Sequence, residues 1–183
     1  MPATAVRDDA FDRLPWLCPP ERWHPGAEAL IGEAKSLHDR LPGDDGLELW
    51  AQLGSLTQAD PDRRERVVSE LSELMRLEGT EPGWPVVARC LVRLASAELP
   101  GRYLAALALL ELVTVARERG AHATLLPVDD LELALGRWND PRLSPFRDAI
   151  RRRVLHEARA SSYAELMRFD AFIQLACDSE RER

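Results

Sequence analysis

Lysine is nearly absent from this 183-residue chain: Lys35 is the only one, so almost every basic residue is arginine. Lys35 lies in no special context, which leaves Schiff-base chemistry without a candidate. Cysteine is scarce as well. Cys18, Cys90 and Cys177 are odd in number, far apart and in no Cys-x-x-Cys pair, so neither a disulfide framework nor a zinc site is expected. The longest apolar stretch, Tyr103 to Ala116, is broken by Glu111 and Thr114. It falls short of the ~20 residues a membrane-spanning helix requires.

Motifs of chemistry are missing too. The sequence holds no GxSxG, P-loop, HExxH or dinucleotide fingerprint, so no catalytic, metal or cofactor-binding residue is nominated. Glu21 and His24 have the Glu-x-x-His spacing of di-metal helices, but flanking prolines and the lack of a second copy reject it. The opening MPATAVRDDAF has early acids and no apolar centre, unlike a secretory signal, so a cytoplasmic protein with no membrane association is expected.

What is present is helix. Hydrophobic residues at 45% and charged residues at 30% suit a soluble globular chain with one real core. No stretch alternates with period two, and apolar residues recur at helical spacing from Ala27 onward. The expected fold is all-α: a compact bundle of seven to eight helices around a central buried helix near 102–119, which is apolar almost all round. Helices are expected over 27–41, 44–56, from Asp60–Pro61 onward, 85–97, 129–138, 144–160 and from about 162. Asp60 with Pro61, and Ser144 with Pro145, provide standard helix entries. Residues 1–26 read as a Pro- and Trp-rich arm packed on the body, 27–178 as one helical domain, and 179–183 as a frayed polar tail.

Charge is uneven. Residues 1–90 hold 17 acids against 10 bases, while residues 91–183 hold 14 of each. The acidic excess repels nucleic-acid backbones and favours a basic protein partner. Three groups of residues merit weighing as sites. Arg152, Arg153, His156 and Arg159, with Arg151, form a basic cluster on the seventh helix, suited to anions or a partner. Trp16 and Trp23 in the arm are candidate partner contacts, with burial against the body as the expected fate of both. Glu111 sits inside the most apolar helix and could titrate abnormally, or could mark that helix's one wet edge.

The functional expectation is a non-enzymatic protein–protein interaction module: an adaptor, regulator or inhibitor. The alternatives are anion or nucleic-acid binding through the seventh-helix arginines, or an enzyme with a scattered site near Glu111. Arg151 and Asp170 are further expected to pair across a hairpin of the last two helices.

Overall fold

The computed structural model describes residue 11, residues 14–120, residue 125, residues 128–155 and residues 163–183. Among these there is no strand, and the helices form a compact bundle as expected. In chain order they are α1 (Ala27–Ile31), α2 (Leu37–Arg40), α3 (Asp45–Ser55), α4 (Pro61–Arg76), α5 (Trp84–Ser96), α6 (Arg102–Glu118), α7 (Val128–Leu135), α8 (Ser144–Leu155) and α9 (Tyr163–Arg181). No helix is long and apolar enough to cross a membrane among the described residues.

α6 is the axis of the bundle, packed against α4, α5, α8 and α9. Leu107, Leu109, Leu110 and Val113 are almost wholly buried, and the alanines of its first half are enclosed as well. A helix enclosed over almost all of its surface needs only a narrow polar edge, here Glu111 and Thr114, which explains its composition.

The segment expected as one helix over 27–41 is broken. A 3₁₀ turn at Gly32–Ser36 separates α1 from α2. Glycine in a helix interior carries a cost of about 1 kcal/mol relative to alanine. Ser36 also turns its hydroxyl onto the Glu33 carbonyl at 2.8 Å, competing with the regular ladder. His38 is exposed on the short α2.

The entry to α4 matches its sequence signature: the Asp60 carboxylate accepts from the Asp62 N–H at 3.1 Å, with Pro61 in the first turn. Arg64, between the exposed Arg63 and Arg66 on α4, is buried with 6% exposure. The expected frayed tail is also corrected. α9 continues to Arg181, and Ser179 and Glu180 are buried.

The reason for the ordered end lies at the start of α6. Gly101 precedes that helix with φ at 87°, and a Cβ there would lie 1.8 Å from the Leu56 carbonyl oxygen, so only glycine fits. No side chain of its own caps α6. Glu180 does so from the far end of the chain, accepting from the Gly101 and Tyr103 N–H groups at 2.9 Å each. A carboxylate at a helix N-terminus satisfies orphan donors and the helix dipole together.

Candidate functional site: a cleft beside the N-terminal arm

The arm packs on the body through several side chains, among them Phe11, whose ring lies 6.0 Å from that of Trp50. Leu14, Leu17 and Trp23 all belong to the buried core. Trp23 lies edge-on to Trp50, with ring centroids 5.0 Å apart at 79°. Its indole N–H donates to the Cys18 carbonyl at 3.0 Å, so the ring is buried without an orphaned donor. α3 makes room for it at Gly54, where a Cβ would stand 2.2 Å from the indole.

Trp16 departs from expectation. It is 67% exposed, between two anchors that face inward. The chain turns at this point, the Leu17 N–H bonding the Leu14 carbonyl at 3.0 Å, and the turn throws the intervening indole outward. Of the two candidate aromatics, Trp23 is therefore part of the core and Trp16 alone is free to meet a partner.

Below Trp16 the arm, α3 and α4 enclose an open cleft of about 390 Å³. Arg22 from the arm and Arg63 and Arg66 from α4 line it, with Glu70 as the one acid in its wall. Glu70 is engaged: it accepts from the Gln52 carboxamide at 2.7 Å. Arg63 lies 3.6 Å from the exposed Asp60, and Arg66 donates to the Asp62 carbonyl at 3.4 Å. Cys18 and Ser55 also face this space. Burial pushes the Cys18 thiol above its ordinary value, against the opposing pull of the Ser55 hydroxyl, Arg22 and Arg63. Burial with the Glu33 charge takes the Cys90 thiol to about 12, and burial with Glu65 takes Cys177 to about 11. None of the three is a thiolate nucleophile at neutral pH.

Of the basic cluster of α8, Arg151, Arg152 and Arg153 lie within the described residues. Arg151 donates through Nε to both oxygens of Glu132 on α7, at 2.9 and 3.1 Å. Asp170 is exposed, so the expected Arg151–Asp170 pair is replaced by Arg151–Glu132. Arg152 is exposed, and Arg153 already has a contact. His156 and Arg159 lie outside the described residues, as does the turn expected at Ala160–Ser161.

Glu111 is half-way between its two expected fates. It stands at an edge of the bundle, yet its side chain is only 12% exposed. Ser72 donates to it from α4, and Arg76 approaches to 3.8 Å. Burial nevertheless raises its pKa above the ordinary 4.5, with Ser72 and Arg76 opposing. This ties α4 to α6 through a polar contact; Arg76 continues it to Glu118 at 3.4 Å. No group of His, Cys, Asp and Glu suited to a metal occurs among the described residues. Compared with known proteins, the chain matches no family model, no curated relative and no solved structure.

The cleft was hidden from sequence reasoning because its parts lie far apart in the chain, in the arm, α3 and α4. The available signal was Arg63 and Arg66, three apart on one face of α4, together with Arg22 in the Trp-rich arm.

Proposed function

We propose that this chain is a non-enzymatic protein–protein interaction module whose contact surface centres on Trp16 and the adjoining cleft. The observation that carries this reading is a two-thirds exposed indole held on a fixed arm. Leaving an indole in water has no structural benefit, whereas interface hot spots are enriched in tryptophan and arginine. Here both surround one opening. The cleft is open and mostly polar, unlike the enclosed apolar pockets that take small molecules, and suits an inserted side chain. Three free thiols fit a reducing, cytoplasmic setting.

Affinity capture with wild-type and Trp16→Ala chains as paired baits tests the reading. Proteins retained by the wild type should be lost from Trp16→Ala, while the urea midpoints of the two stay equal, since the indole supports nothing in the fold. Identical captured sets from both baits would refute it.

A further inference from the structure

The interaction reading leaves open which chemistry the cleft selects, and its charge answers that. The protein as a whole carries −7, yet this opening has three arginines and a single acid that is already hydrogen-bonded. Arg22 has no carboxylate partner among the described residues. Arg63 shares the exposed Asp60 at 3.6 Å, a distance at which most of its donors remain open to another acceptor. A local excess of cations on an acidic protein selects an anion there and repels one elsewhere.

A second observation is independent of charge. Gln58 is only 6% exposed and lines the cleft, and among the described residues no group bonds its carboxamide. Its backbone is occupied: the N–H bonds the Ser55 carbonyl, and the carbonyl accepts from Arg64 at 2.8 Å. That carboxamide is not sealed from solvent, so it is open to a group that enters the cleft. An oxygen acceptor flanked by guanidinium groups would bond it.

We propose that the cleft is a carboxylate-binding site, in which Arg22 and Arg63 supply charge, Gln58 supplies a neutral donor, and the ligand is an acidic side chain or chain end of a partner protein. This rests on the interaction reading above. A monoanion suits the site better than a phosphate. The N-terminus of α4 is capped by its own Asp60, whose carboxylate takes the Asp62 N–H and would repel a phosphate there. Asp60 beside Arg63, and Glu70 in the wall, would oppose the second charge of a dianion. Trp16 at the rim gives a flat apolar surface for the residue next to the acid.

The test uses a fluorescein-labelled peptide of alternating Glu and Gly and its Gln–Gly counterpart, with fluorescence anisotropy on the full chain. The Glu peptide should bind saturably and weaken with added salt, and the Gln peptide should bind at least about tenfold more weakly. Arg22→Gln with Arg63→Gln should abolish the difference, as should Gln58→Glu, which places a like charge in the opening. Arg22→Lys with Arg63→Lys should restore part of it. Equal binding of the two peptides, or an unchanged double Gln variant, overturns the proposal. So does inorganic phosphate competing as well as the Glu peptide, or an oligonucleotide binding more tightly than it. Captured partners that are lost with Trp16→Ala but kept by the double Gln variant would leave the interaction reading standing and remove the carboxylate site.

Discussion

Arg63, Arg64 and Arg66 lie within one turn of α4, yet they have opposite fates. Arg64 points into the bundle, where it donates to the Gln58 and Ala59 carbonyls at 2.8 and 3.2 Å and approaches the buried Glu180 to 3.7 Å. Arg63 and Arg66 line an open cleft, and both are exposed. The first set is closed because the chain's own last helix delivers the carboxylate. The second is open because its one carboxylate partner among the described residues is the exposed Asp60 beside Arg63. A buried arginine without its acid would be costly, whereas an exposed one adds little to stability either way. One face of α4 therefore serves the fold, and its neighbour stays open to solvent.

That contrast can be broken most severely at Glu180. Glu180→Ala strands the buried Arg64 charge and uncaps α6, so it should cost about 3–5 kcal/mol in urea unfolding. Glu180→Gln keeps an acceptor for the Gly101 and Tyr103 N–H groups and should cost less. A midpoint near wild type for Glu180→Ala would mean that the closed site contributes nothing.

A smaller loss is expected where the arm meets α3. Gly54→Ala drives a methyl into the Trp23 indole and should destabilise by about 1–3 kcal/mol, as overpacking does. Because Trp23 anchors the wall of the cleft, the same variant should weaken Glu-peptide binding. Full binding by a destabilised Gly54→Ala would separate the arm from the site.

The smallest effect belongs to Glu111, the polar contact on the far edge of α4. Its folded pKa is raised by burial, so the native state holds its proton more tightly than the unfolded chain does. Its stabilising contribution is then complete below the ordinary 4.5 and is lost as pH rises through the folded value. Glu111→Gln should remove that loss, giving a slightly higher urea midpoint at pH 7 and a flatter profile just above pH 4.5. A variant less stable than wild type at pH 7 would mean that the ionised carboxylate and Arg76 dominate.

The helices were largely legible in the sequence because their signals are local. Asp60 with Pro61, Ser144 with Pro145, and the nearly all-apolar surface of α6 each act within a few residues, and the structure places elements where they indicate. Long-range partners were not legible. Nothing near Gly101 announces that its cap lies 79 residues away at Glu180, and the polar run around it reads locally as a frayed end. Arg64 shares the charge and spacing of its neighbours, and only the arrival of α9 distinguishes it. Trp16 and Trp23 look alike in sequence; the turn between Leu14 and Leu17 and the gap at Gly54 decide which one is buried. The same holds for Arg151, drawn to Glu132 on α7 rather than to Asp170.

The division of labour along α4 is tested most directly by comparing the urea unfolding of Arg64→Gln with that of a triple variant carrying Arg22→Gln, Arg63→Gln and Arg66→Gln. Arg64→Gln leaves Glu180 buried without its cation and should lose about 3 kcal/mol or more. The triple variant should stay within about 1 kcal/mol of wild type, because exposed arginines support little. A triple variant as unstable as Arg64→Gln would show that the cleft arginines hold the fold together, and would contradict the assignment of that opening to a partner.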